Sequence, residues 1–137
     1  MKDVLLDTNI ILDVALRREP HFIHSSKLFG LIDEKLITGY ITATSLTDIY
    51  YISRKEKSRN EAKEFIFDLI NVLEVLGVDK EMVQDALASD IVDFEDAVQV
   101  YSAEYNEIKT IVTRNKKDFQ GSDLEILTPE ELIRQLT

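Results

Sequence analysis

Val4-Leu5-Leu6-Asp7-Thr8-Asn9, followed at once by Ile10-Ile11-Leu12, is the stretch on which the reading of this chain turns. Three apolar residues run straight into Asp-Thr-Asn and then into a second apolar segment. That pattern describes a short buried strand feeding a helix. In an open α/β sheet, ligands bind at the carboxyl end of such a strand. An aspartate is poorly suited to a buried strand end unless something there compensates its charge. Asp7 is therefore expected at the centre of a site.

Beyond this stretch, helical spacing from Ile10 to about Arg17 is ended by Pro20, and a second helix is expected from Phe22 to about Glu34. A strand-like piece surrounds Gly39-Tyr40-Ile41, and Thr42 to Ile52 reads as a strand end turning into a helix. A helix over Glu61–Asn71 leads to strand-like Val72–Leu76, and Asp79 opens another helix. Asp93-Phe94-Glu95-Asp96 starts the next helix, Thr110–Thr113 is a strand, and Arg114–Phe119 is a polar turn. Glu125-Ile126-Leu127 is a last strand. Thr128-Pro129-Glu130-Glu131 then gives an N-cap threonine, proline at N1 and acid in the first turn. This alternation predicts one α/β domain over residues 1–137, a parallel sheet covered by helices on both faces.

The chain has 137 residues and no cysteine, which excludes disulfides, zinc–thiolate sites and thiol catalysis. Charge interrupts the N-terminus too early for a signal peptide, and no apolar run approaches the roughly 20 residues that span a bilayer. A soluble, cytoplasmic protein with no membrane association is expected. The formal charge of −10 weighs against a nucleic-acid partner. Divalent cations in an acidic site would reverse its local sign, however. Basic residues also cluster, Arg54, Lys55, Lys57 and Arg59 in one stretch and Arg114, Lys116 and Lys117 in another. His21 and His24 lie three apart with no third histidine to complete a site, and read as incidental.

Asp7, Asp48, Asp96 and the pair Asn115 and Asp118 each fall at a strand end or helix start. In a parallel sheet those positions share one edge. Crowded carboxylates repel unless a cation neutralises them, and hard oxygen ligands suit Mg2+ or Mn2+. Phosphodiester hydrolysis by water is the chemistry such a site favours. Capping offers a plainer account of the same residues. Ser45 to Asp48 and Asp93 to Asp96 both have capping-box spacing, and Asp118 can stabilise a turn. Spacing leaves both accounts open.

Leu5-Leu6-Asp7-Thr8-Asn9, Thr44-Ser45-Leu46-Thr47-Asp48, Asp93-Phe94-Glu95-Asp96-Ala97 and Ile111–Phe119, in that order and at those intervals, resemble the successive motifs of the PIN-domain family. The resemblance covers nearly the whole chain. It implies a three-layer α/β/α fold with a central parallel sheet of four or five strands, and an acidic site for Mg2+ or Mn2+. It further implies a ribonuclease, with small stand-alone members often VapC-like toxins paired with an antitoxin. By the same resemblance Asp7, Asp48 and Asp96 are the first three acids, Asn9 the accompanying amide and Thr113 the hydroxyl ending a strand. Asn115 falls where a fourth aspartate is common, and Asp118 is a compensating acid.

This sequence departs from the family pattern twice. Asp48 stands where most members have glutamate, which shortens the reach by one methylene. Asn115 removes a negative charge, which weakens a second metal more than a first. The expectation is a metal-dependent endoribonuclease, with a non-catalytic module binding RNA or protein as the alternative. Arg114, Lys116 and Lys117 are candidates to contact substrate phosphates, or a solvated turn. Phe22, Phe29, Tyr50 and Tyr51 are candidates for a homodimer face or for core.

Overall fold

Val4, Leu5 and Leu6 are all fully buried, as a strand covered on both faces requires. In the computed structural model, which describes residues 1–137, they belong to β1 (Lys2–Leu6). It is followed by α1 (Thr8–Ala15), α2 (Phe22–Asp33), β2 (Ile37–Thr42), α3 (Ala43–Glu56) and α4 (Arg59–Val72). Next come β3 (Glu74–Leu76), α5 (Lys80–Ala88), α6 (Phe94–Tyr105) and β4 (Thr110–Val112). A 3-10 turn over Lys116–Phe119, β5 (Glu125–Leu127) and α7 (Pro129–Leu136) complete the chain.

The five strands form one parallel sheet in the order β3-β2-β1-β4-β5, with β1 in the middle. Alternating side chains of β1 serve opposite layers. Val4 and Leu6 join Ile10, Ile11, Leu28, Ile41, Ile49 and Leu132 on one side. Leu5 joins Ala97, Val98, Ile111 and Phe119 on the other. The architecture is thus the expected three-layer α/β/α arrangement, with the reversal of strand order falling at β1, where the site was sought.

Local chemistry fixes the helix starts. Ser58, Asp79, Asp93 and Thr128 each accept a backbone N–H of the helix that follows, and Thr128 with Glu131 forms a full capping box. One expectation is corrected. Ser45 does not cap a helix ending its box at Asp48, because α3 begins earlier and its N-cap is Thr42, whose hydroxyl accepts the Ser45 N–H at 3.2 Å. The reason is the sheet: β2 ends at Thr42, and the extended backbone there turns directly into α3. Asp48 is left in the second turn of α3 with no capping duty.

Gly39 in β2 is needed for close packing, since a Cβ there would lie 2.7 Å from Leu73 and 2.8 Å from Ile32. Of the aromatic residues left open between core and dimer face, Phe29 packs on the core and Tyr51 is 60% exposed. No helix is long and apolar enough to cross a membrane.

Candidate metal centre

The register of the sheet builds the centre of the site. Leu6 lies beside Val112, so the next residue of each strand, Asp7 and Thr113, meet beyond the sheet's end. The Asp7 N–H continues the ladder to the Val112 carbonyl at 3.0 Å. The Asp7 side chain stands at the N-cap of α1 yet does not cap it. Its Oδ2 accepts from Thr113 Oγ1 at 2.8 Å and its Oδ1 from Gln99 Nε2 at 3.0 Å. Asp7 is 4% exposed. Burial pushes its carboxyl pKa up, and the Gln99 and Thr113 hydrogen bonds oppose that shift.

Around Asp7 opens a cavity of about 360 Å3 walled by Thr8, Asn9, Leu12, Asp48, Ile52, Asp93, Glu95, Asp96 and Asp118. Asp7 included, six carboxyl groups and no basic side chain face this space. The acids come from the end of β1, the second turn of α3, the start of α6 and the turn after β4. These residues are remote in sequence, and the parallel topology brings them to one edge. Asp96 is half-buried and its pKa is raised to about 7, first by burial and then by the charges of Asp7, Asp93 and Asp118. Burial and the neighbouring Asp48 raise Glu95 as well.

Hydroxyls tie the rim together. Thr42 Oγ1 donates to Ser45 Oγ at 3.0 Å, Ser45 and Thr8 hydroxyls lie 2.7 Å apart, and Thr8 Oγ1 donates to Glu95 Oε1 at 3.1 Å. This chain of contacts spans α3, α1 and α6. Behind Asp7 and Asp96, Gln99 is fully buried and its Nε2 also reaches Asp96 Oδ1 at 3.5 Å, while its Oε1 has no partner.

Asp7, Asp48, Asp96, Asp118 and Asn9 of the expected residues thus line one cavity. Thr113 supports Asp7 from behind. The Asp93 carboxylate caps α6 through the Asp96 N–H at 2.9 Å, while the Asp96 carboxylate turns to the cavity. Asn115 is exposed and is not part of the wall; its N–H donates to Thr113 Oγ1 at 3.1 Å. Arg114, expected near substrate phosphates, instead directs Nε to the fully buried Asp13 at 2.7 Å. Lys116 pairs with Glu131 at 3.1 Å. Lys117 borders an adjoining cavity together with Asp93 and Asp118. Glu95 and Gln99 were not singled out from sequence. Glu95 stood within the recognised motif beside Asp96, whereas Gln99 carried no local signal.

The donor set is all oxygen, rich in carboxylate and partly open to solvent, which fits a hard divalent cation rather than zinc or copper. Six carboxyl groups with no basic side chain on the wall, and an Asp96 pKa raised by burial and by neighbouring acids, mark a site with more negative charge than its protein groups neutralise. The carboxylates share a cavity without sharing a focus, because no three of them surround one point at ligating distance. Common walls are the better guide here, since Asp48, Glu95 and Asp118 are not fully buried and have room to turn, whereas Asp7 is held from two sides.

Comparison with known proteins gives three results. A family model described as PIN domain matches residues 3–117. The ribonuclease VapC1 of Aquifex aeolicus is 26% identical over 133 residues, covering 93% of this chain and 91% of that protein. Among solved structures, VapBC2 from Rickettsia felis, bound to a DNA fragment from its promoter, aligns with a TM-score of 0.71 at 18% identity, covering 92% of this chain and 98% of that one. DNA-bound VapBC from Salmonella typhimurium aligns with a TM-score of 0.69 at 19% identity, covering 94% and 99%. At these identities the two structures speak for the fold.

Proposed function

This chain belongs to the PIN-domain family, and on that basis we propose that it is a metal-dependent endoribonuclease that hydrolyses RNA phosphodiester bonds as the toxin of a toxin–antitoxin pair. The observation that carries the proposal is the meeting of Asp7, Asp48 and Asp96 on the wall of one cavity at the carboxyl edge of the sheet. Similarity to a named ribonuclease and to toxin–antitoxin complexes supports the activity and the partner. The family is generally dependent on divalent metal, and the all-oxygen donor set favours Mg2+ or Mn2+ within that class. A cytoplasmic setting is part of the proposal.

Asp7, Asp48, Asp96 and Asp118 would hold the ion. Once bound, it would offset their charge and draw electron density from a phosphoryl oxygen. Asp7 is the fixed member, anchored by Thr113 and Gln99. Asn9 lines the cavity beside it and offers an amide to orient water or phosphate. The Thr8 hydroxyl is already engaged by Ser45 and Glu95, so water is the attacking nucleophile in this reading. Lys117, next to Asp118, is the basic side chain best placed to meet a substrate phosphate at the mouth. Arg114 and Lys116 are paired with acidic partners, and Asn115 would act only through its place at the start of the 3-10 turn.

The alternative, a non-catalytic module binding RNA or protein, draws on one observation: no three acids converge on a point. Two measurements separate the readings. Calorimetric titration with Mn2+ should give saturable binding, and Mn2+-stimulated cleavage of single-stranded RNA should vanish in Asp7→Asn and Asp96→Asn. Cleavage retained in both folded variants, or no Mn2+ binding by the wild-type protein, would reject the nuclease.

A further inference from the structure

Asp48 leaves a shortfall that the neighbouring helix is placed to fill. Its side chain reaches the cavity from the second turn of α3 and is one methylene shorter than glutamate. Across from it, at the second position of α6, Glu95 brings a longer carboxylate to the same wall, so that both acids face one cavity. The arrangement is built into the fold. Glu95 Oε1 accepts from Thr8 Oγ1 at 3.1 Å, and Thr8 is joined at 2.7 Å to Ser45, one turn before Asp48 on α3. One hydroxyl pair, Thr8 and Ser45, thus ties Glu95 on α6 to the helix that carries Asp48. On the deep side, the buried Gln99 amide holds Asp7 and Asp96 while its own oxygen lacks a partner. The site is therefore organised from both sides, not merely crowded.

We propose that Glu95 is a metal ligand of this chain and that Asp48 and Glu95 together supply the second carboxylate position. The inference rests on the metal-dependent reading above and extends it to a residue outside the acids matched by family resemblance. Two acids that face one cavity from separate helices repel, and a dication between them would remove the repulsion and use both. Glu95 also lies in the first turn of α6, where acid favours the helix dipole. That role needs a negative charge near the helix start but no ion.

The test is Mn2+ affinity by calorimetry on the full-length protein, with thermal melting to verify folding. Glu95→Gln is nearly isosteric, and its amide oxygen can still accept from Thr8. We expect Glu95→Gln to weaken Mn2+ binding by about tenfold or more. The double variant Asp48→Glu with Glu95→Gln should recover most of that loss, because the longer side chain at 48 restores the missing reach. Unchanged Mn2+ affinity in Glu95→Gln would overturn the proposal. A loss that Asp48→Glu fails to rescue would overturn it as well, since Glu95 would then act through the fold alone. Absence of Mn2+ binding by the wild-type protein would instead defeat the underlying metal-dependent reading, and that result is read before either variant is made. Should Glu95→Gln fail to melt cooperatively, Glu95→Ala is titrated in its place, with the same expected loss and the same overturning result.

Discussion

Gln99 Nε2 donates to Asp7 Oδ1 at 3.0 Å across a separation of 92 residues in sequence. A neutral amide on α6 therefore fixes the acid at the end of β1 without cancelling its charge. Gln99→Met should keep the core filled while removing this donor. Mn2+ affinity should fall by about tenfold or more, as for other groups that orient a ligand. Stability should change by only about 1 kcal/mol, because the lost hydrogen bond is offset by removal of an unpartnered buried oxygen. Calorimetry and urea denaturation on the same preparation separate the two effects.

Asp7 is almost fully buried and faces other acids, so its charge is a burden on the fold that function requires. Asp7→Asn should abolish RNA cleavage and, without added metal, raise stability by roughly 0.5–2 kcal/mol, in line with other sites where function opposes stability. Thermal melting in chelator measures the gain. A lower melting temperature would mean that Asp7 holds the fold together.

The pH dependence of stability without metal has a definite sign. Asp96 rises from an ordinary value of 3.8 to about 7 in the folded protein, and Asp7 and Glu95 shift the same way. The native state then keeps protons that the unfolded chain has released, so stability falls as pH rises. The contribution is complete below the ordinary carboxylate range and is lost as pH climbs to about 7. Melting temperatures measured in chelator should decline across that interval, and Asp96→Asn should flatten the decline. Mn2+ should oppose it most at the upper end, where ligands are deprotonated.

Arg114 gives a fourth prediction, this time about the fold. Asp13 is fully buried with one oxygen unpartnered, and its other oxygen accepts from Arg114 Nε and from Ser25 Oγ. Arg114→Ala would strand that charge and should destabilise the protein by about 3 kcal/mol. Adding Asp13→Asn should restore much of the loss. The KM for RNA should hardly move in a folded Arg114→Lys variant, whereas Lys117→Ala should raise it.

Sequence revealed what is local or periodic. Buried β1 was legible because three apolar residues end in an aspartate, and α7 because Thr128, Pro129 and Glu131 are all start signals. The helix start at Thr42 was obscured by Ser45 and Asp48, which mimic a capping box three residues downstream; strand pairing decided between them. Gln99 was illegible because a glutamine inside a helix has no periodic signature, and its partner lies on a distant strand. Arg114 looked like part of a basic turn because nothing near it in sequence announces Asp13. Long-range pairings decide such cases, and they exist only after the chain has folded.

The central place of β1 also bears on how this molecule is made. The strand that leads to Asp7 emerges from the ribosome before β4, its other neighbour in the sheet, and before Asp96 and Asp118. Partly synthesised chains therefore carry Asp7 and Asp48 without the rest of the cavity. For a proposed toxin, this ordering confines competence to molecules translated past Asp118 and leaves shorter ones harmless to the RNA around them.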